Sequence, residues 1–402
     1  MQRSLQKERG QRDSGGEIPL FTYGFRPFFL GAALWAVVAM ALWIGMLAGL
    51  WTLGGRYGAL AWHAHEMIFG YTGAVVAGFL LTAVPNWTGR LPVAGWRLGL
   101  LFLLWCVARI AFLFTESAGP LPAVVLDSLF LPCVLLVTAR EVVVGRNWRN
   151  LKPLVLVTLL AAADIGFHVE VLTFGVPNVW SRVGVAVLIG LIMVIGGRIV
   201  PSFTHTWLMR MGSERLPSPF GRFDIAVLAL SGVALLQWVV APEAATTGVL
   251  FLVAAILNLV RLWRWRGSLT WRAPFVLILH IGYAFVPLGF LLGAVKCFAP
   301  AALAGTAALH AWTVGAIGVM TLAVMTRASR GHTGRDLSAS SVTLAIYGAM
   351  IAAALLRVGA GLMPHAQGTM LEAAGIAWIV AFGLFLFEYG PMLLSARLER
   401  AG

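Results

Sequence analysis

Charge is scarce in this sequence of 402 residues: Asp, Glu, Lys and Arg together make up 11%, against 60% hydrophobic residues. Soluble globular domains carry about 25% charged residues, so a water-facing surface cannot be built from this composition and the chain reads as a membrane protein. Cysteine is nearly absent. Cys106, Cys133 and Cys297 stand singly with no CxxC spacing, which excludes a disulfide framework and a cysteine zinc site. Tyrosine is sparse (6) while Trp (16) and Phe (23) are abundant, a balance suited to helices that meet lipid and headgroups. There is no Walker loop and no GxGxxG following a strand, so the usual nucleotide-binding signatures are missing. Acidic residues are outnumbered by basic ones, 16 to 29, yet the resulting net charge of +13 does not point to nucleic acid. No soluble basic domain remains once the apolar stretches are set aside.

What is present is a series of apolar runs long enough to cross a bilayer, at roughly 27–50, 63–84, 98–114, 121–142, 151–172, 180–200, 224–241, 245–263, 273–296, 301–326, 339–362 and 369–392. Breaks such as ESAGPLP, FGVPN, APEAATTG, CFAPA and MPHAQGT separate them. The first run follows a polar, mixed-charge stretch and is too long for a signal-peptide core, so it is expected to be retained as the first helix. With the N-terminus in the cytoplasm, basic residues gather on the cytoplasmic side, among them Arg90, Arg97, Arg140, Arg146, Arg149, Lys152, Arg261, Arg264, Arg266 and Arg272. Arg56, Arg182 and Lys296 fall outside, and Arg109 and Arg357 within helices, so the positive-inside rule orients every span consistently. The expected layout is a cytoplasmic N-terminal segment (1–26), a single twelve-helix domain (27–392) and a cytoplasmic tail (393–402) in a bacterial inner membrane.

The chain also matches itself at constant offsets. Pro27 and Pro274, His63 and His310, and Glu141 and Glu388 are each 247 positions apart, and Arg109 and Arg357 are 248 apart. Pro153 with Pro274, and Arg140 with Arg261, share an offset of 121. These pairs predict three units of four helices, at about 27–145, 151–265 and 273–392. An even number of helices per unit starts each on the same side, which predicts a pseudo-threefold arrangement about the membrane normal.

The densest set of potential ligands is Trp62-His63-Ala64-His65-Glu66-Met67, opening the second span. On a regular helix His63, Glu66 and Met67 share a face and His65 points elsewhere. His310 opens the tenth span at the repeat-equivalent position, and two imidazoles from equivalent helices suit the axial positions of haem b. The bland alternative is interfacial histidines satisfied by water and backbone. Arg109 and Arg357 lie at the depth of these histidines, where an arginine requires a partner; haem propionates would supply one, and snorkelling to headgroups is the alternative. His168 and His280 add imidazoles inside the bundle, and Asp127, Asp164, Glu170 and Glu372 add acids. With His63, His65, Met67 and His310, the two internal histidines complete a set of metal-ligand candidates, since His and Met suit copper. Intramembrane acids also suit a proton path, with Glu66 the candidate catalytic acid or base. His205 and His332 fall at the cytoplasmic ends of their helices. Three further runs, LLTAVPNWTGR, GGRIVPSFTHT and MTRASRGHTGR, are expected to follow the second, sixth and tenth spans, as Gly-assisted helix ends or as a cytoplasmic anion or proton site.

Through WHAHEMIFGY with LLTAVPNWTG, GGRIVPSFT and HAWTVGAIGVMTLAVMTRASRGHTGR, the sequence resembles the NnrS family over nearly its whole length, from YGFRPFF at residue 23 onward. The resemblance implies a twelve-helix bacterial membrane protein containing haem and copper and acting in the response to nitric oxide. Its motifs implicate His63, His65, Glu66, Arg198, Pro201, His310, Arg327, Arg330 and His332. The plan of twelve helices in three units is similar to the catalytic subunit of haem-copper oxidases, a likeness of fold only. The pair of adjacent histidines such enzymes use for copper on the seventh helix is missing here. The leading expectation is therefore a haem- and copper-binding protein that protects against nitric oxide, with haem b on His63 or His65 and His310 and an electron donor not identified by the sequence. Whether nitric oxide is turned over, as by a haem-dependent oxidoreductase, or only bound stays open. The alternatives are a secondary transporter with a His and acid proton relay, and a non-catalytic sensor or assembly factor.

Overall fold

The computed structural model of the chain describes residues 18–146, 148, 151–303 and 306–398. The polar stretch 1–17, Arg149 and tail residues 399–402 lie outside them. Among the described residues all regular structure is helical. Twelve helices among these residues are long and apolar enough to span a membrane: α1 (Phe25–Leu47), α2 (Ala59–Thr88), α3 (Trp96–Leu113), α4 (Leu121–Val144), α5 (Pro153–Phe174), α6 (Val179–Arg210), α7 (Arg222–Val240), α8 (Ala245–Arg264), α9 (Pro274–Phe298), α10 (Ala307–His332), α11 (Ser341–Gly359) and α12 (Pro364–Leu394). The chain is a multi-pass membrane protein. Its polarity is inverted relative to a soluble fold: Leu236 (65%), Val240 (75%) and Phe387 (73%) face outward, while Arg26, Arg109 and Arg261 are buried at 2% exposure or less. Apolar side chains cost nothing against hydrocarbon, whereas a charge must find partners inside the protein.

Helices α2, α6 and α10 run further than their apolar stretches, so the three runs expected after these spans are instead their last turns. Ser, Thr and Gly there read as loop, but the hydroxyls fold back onto their own helix. Thr82 donates to Gly78 O (2.7 Å), Thr88 to Val84 O (2.9 Å), Thr204 to Val200 O (2.8 Å) and Thr206 to Ser202 O (3.0 Å). The same three helices each contain a π-helical stretch: Glu66–Tyr71, Ile192–Gly196 and Ala311–Gly318. A shift of 247 carries Glu66 to position 313 and a shift of 121 carries Ile192 to the same position, inside the third stretch.

The helices divide into two compact units. The first comprises the chain up to Gly184 with Met325–Ser338 and the residues from Phe382 onward. In it Gly78 of α2 lies against Phe28 and Phe29 of α1, and Phe28 meets Phe102 of α3 edge-on at 5.6 Å. The buried Arg26 side chain donates to Leu393 O (3.0 Å) and Ser395 O (2.6 Å) at the electronegative end of α12.

The second unit comprises Val185–Val324 and Ala339–Ala381. It is built around Arg261 of α8, which donates to Asp224 Oδ1 (3.0 Å), to the Tyr283 hydroxyl (2.9 Å) and to Met193 O (3.1 Å) in the π-helical stretch of α6. Tyr283 passes the network to Asn258 (2.8 Å), and Asn258 to Ser231 (2.9 Å). Gly197 leaves the room for the guanidinium, because a Cβ there would collide with it.

Candidate metal centre

Helix α2 is entered through Gly58, whose φ of +85° suits only glycine, and begins at Ala59, one turn before its apolar run. His65 is the last residue of its first α-helical segment and Glu66 the first of the π-helical stretch. The wider turn breaks the 100° step per residue and brings two consecutive side chains to one place, so that His65 Nδ1 donates to Glu66 Oε1 at 2.9 Å. The Thr72 hydroxyl donates to Met67 O (2.8 Å), five residues back, which holds the widened turn. The regular-helix expectation, with His65 facing away from Glu66, fails for this local reason.

Three further groups from two other helices gather around the other nitrogen of His65. His65 Nε2 stands 2.9 Å from Asp127 Oδ2 of α4 and 3.0 Å from Asp164 Oδ1 of α5. His168, one helical turn beyond Asp164, places its Nε2 3.2 Å from the same Asp127 oxygen and 3.7 Å from the same Asp164 oxygen. The donor atoms of the four residues all lie within 4.8 Å of one another, and all four side chains are buried. For metal–donor bonds of about 2.1 Å, neighbouring donors lie roughly 3.0 Å apart in octahedral geometry and roughly 3.4 Å apart in tetrahedral geometry. The four contacts above, 2.9 to 3.7 Å, bracket these values, so one ion could take the place of the hydrogen bonds that join the donors.

The outer groups are arranged as a metal site requires. His65 Nδ1 is held by Glu66, and His168 Nδ1 shares a hydrogen bond of 2.9 Å with the Tyr57 hydroxyl, which leaves each Nε2 directed at the centre. Tyr57 is fully buried; burial and the charges of Asp164 and Glu66 hold its phenol well above the ordinary value, so it serves as a neutral hydrogen-bond partner and not as a tyrosinate. Glu66 Oε2 accepts from Trp35 Nε1 (2.6 Å) and Arg109 Nη1 (2.7 Å), and Arg109 Nη2 pairs with Asp127 Oδ1. Rings of Phe112, Phe167 and Phe69 pack around His65 within 5.7 Å between centroids and keep the local dielectric low.

The π-helical stretch also fixes where a side chain is not tolerated. A Cβ on Gly70 would collide with the Arg109 guanidinium and approach Glu66 Oε2 to 2.8 Å. Gly70→Ala is therefore expected to destabilise the protein by about 1–3 kcal/mol, the usual cost of overpacking a well-packed core. Thermal unfolding of the purified variant measures it, and an unchanged midpoint would mean that the pair shifts freely.

Among the other expected site residues, the structure makes Arg109 a partner of protein carboxylates. His63, half-buried, stacks on Trp43 with centroids 4.1 Å apart and planes 11° from parallel. Met67 is half-buried on α2. His280, in the second unit, donates from Nε2 to the Thr204 hydroxyl (2.8 Å), whose own proton goes to Val200 O. In the same unit His310 Nδ1 donates to Thr306 O (2.8 Å), while Arg357 Nη2 donates to the Thr306 hydroxyl (3.2 Å). Thr306 thus ties the histidine of α10 to the arginine of α11. Sequence reasoning named Asp127 and Asp164 only as intramembrane acids and missed Tyr57 and Trp35. The Asp164–His168 spacing of four on one helix was the usable signal; Tyr57 and Trp35 carry none.

The NnrS family model, described as NnrS protein, matches residues 19–397. The chain belongs to the NnrS family. No curated protein matches it. The NnrS match runs through the site from Trp35 to His168 and through the His310 and Arg357 pair, so both are inside the region that defines membership.

Proposed function

We propose that this chain is a haem- and copper-binding inner-membrane protein that protects against nitric oxide, with a metal held by His65, Asp127, Asp164 and His168. The observation that carries the reading is the convergence of two imidazole Nε2 atoms and two carboxylates inside membrane-spanning helices, together with membership of a family tied to the nitric oxide response. Nitric oxide is small and uncharged and enters hydrocarbon, so a buried reduced metal meets it without a polar channel. Bound metal would supply capture of the diatomic. The chain's own residues orient the imidazoles, hold the carboxylates and exclude water.

The other cofactors are assigned by donor chemistry. His310 fits a haem ligand, because its Nδ1–H on the Thr306 carbonyl fixes the ring, and Arg357 beside it suits a propionate. The softer pair of imidazole and thioether at His63 and Met67 suits copper. We further propose the three four-helix units, supported by π-helical stretches at the same offset in α2, α6 and α10, and cytoplasmic termini, supported by the distribution of arginine. Nitric oxide as ligand and an external electron donor belong to the same reading.

Absorption spectra and metal analysis of the purified protein test it, combined with growth of a deletion strain under nitric oxide. His310→Ala is expected to lose the haem Soret band, and His65→Ala to lose metal while keeping haem. A wild-type protein with no haem and no transition metal, or one that restores no growth under nitric oxide, would remove the basis of the proposal.

A further inference from the structure

The cluster on α2, α4 and α5 carries a charge imbalance that bears on which ion it could hold. Three buried carboxylates, Glu66, Asp127 and Asp164, face a single guanidinium, Arg109, and all four groups are at most 3% exposed. The Arg109 side chain reaches two of them, Glu66 and Asp127, and leaves Asp164 with only imidazole neighbours. His65 meets carboxylates through both ring nitrogens and as an imidazolium would supply one charge; with both imidazoles neutral, as metal ligands are, the site lacks two, and burial makes such a deficit costly. Among the described residues the donors brought together here are two imidazole nitrogens and two carboxylate oxygens, with no cysteine thiolate. A monovalent, sulfur-seeking cuprous ion fits neither the charge nor the donors.

We infer that this site takes a divalent non-haem ion, ferrous iron, and that nitric oxide binds to that iron as a nitrosyl. The inference rests on the proposed nitric oxide reading and deepens it by naming the ion at one site. Four protein donors leave coordination positions open on a five- or six-coordinate ferrous ion, and a ferrous ion binds nitric oxide where zinc or magnesium does not. Nitrosyl formation here is simple ligand addition: the iron–nitrogen bond forms, no bond breaks, and no external oxidant or reductant is consumed.

The test uses the full-length purified protein, stripped with chelator and reloaded anaerobically with ferrous iron alone, then exposed to nitric oxide. The wild type is expected to take up one chelator-resistant non-haem iron per chain and to show the high-spin signal of a non-haem ferrous nitrosyl by electron paramagnetic resonance. That signal is distinct from the low-spin signal of a haem nitrosyl. Asp164→Asn and His168→Ala are each expected to weaken iron binding more than tenfold and to remove the high-spin signal. Tyr57→Phe, which leaves all four donors in place, should lower affinity by about 10–100-fold. His205→Ala, an exposed imidazole, should change nothing. Absence of non-haem iron from the reloaded wild type, or retention of the iron and its signal in both Asp164→Asn and His168→Ala, overturns the inference, as does binding of cuprous ion in preference to ferrous. An iron nitrosyl in a protein that gives no protection to cells would leave this inference standing and the proposed function refuted; protection without non-haem iron would do the reverse.

Discussion

Replacing Arg109 by methionine is expected to destabilise the protein by about 3–5 kcal/mol, the scale seen when one partner of a buried ion pair is removed. Arg109 is 2% exposed and pairs with Glu66, at 0%, and with Asp127, at 3%. Water cannot screen these contacts, and the guanidinium bridges two of the three acids in the cluster. Methionine fills much of the same volume, so the loss reflects charge more than a cavity. Lysine should recover only part of it, because a single ammonium cannot bridge two carboxylates as a planar fork does. Pairing Arg109→Met with Glu66→Gln should cost less than the sum of the two single changes, since the second removes a carboxylate that the first strands. Thermal unfolding in detergent with the four proteins side by side measures the coupling. A loss below about 1 kcal/mol for Arg109→Met would show that the carboxylates do not depend on the guanidinium.

The twelve spans were legible because hydrophobic length is a property of consecutive residues, and each of the apolar runs in the sequence became a helix. What failed at the ends of α2, α6 and α10 was the treatment of Thr, Ser and Gly as helix-ending signals, when their hydroxyls satisfied carbonyls one turn back. The histidines were legible as a group, because imidazole within an apolar helix is conspicuous. Their partners were not, since Asp127 and Asp164 sit on separate helices and nothing in the chain says which acid faces which imidazole. The adjacency of His65 and Glu66 on one face was hidden for a different reason: it depends on a π-helical turn, and no residue type announces one. Trp35 and Tyr57 are ordinary aromatic residues until the structure shows an indole N–H on Glu66 and a phenol on His168.

Loading the cluster with a divalent ion should raise stability by about 4 kcal/mol when the free ion is about 1,000 times its Kd, because ligand that binds only the folded state adds RT ln(1 + [L]/Kd). Zinc serves as the redox-inert probe, since the donors are two imidazole nitrogens and two carboxylates at separations that one ion could bridge. Relief of the unbalanced charge of Glu66, Asp127 and Asp164 enters this increment through a lower Kd, so less ion is needed to reach it. Chelator should reverse it fully. In Asp164→Asn the increment should vanish, while the unloaded variant should be as stable as the unloaded wild type or more so, since it buries one carboxylate fewer. Arg109→Met should behave oppositely, starting less stable and retaining the increment, because the lost guanidinium makes the pocket more negative. A zinc-dependent shift of equal size in wild type and Asp164→Asn would locate the binding elsewhere in the chain and dissolve the link between this cluster and a metal.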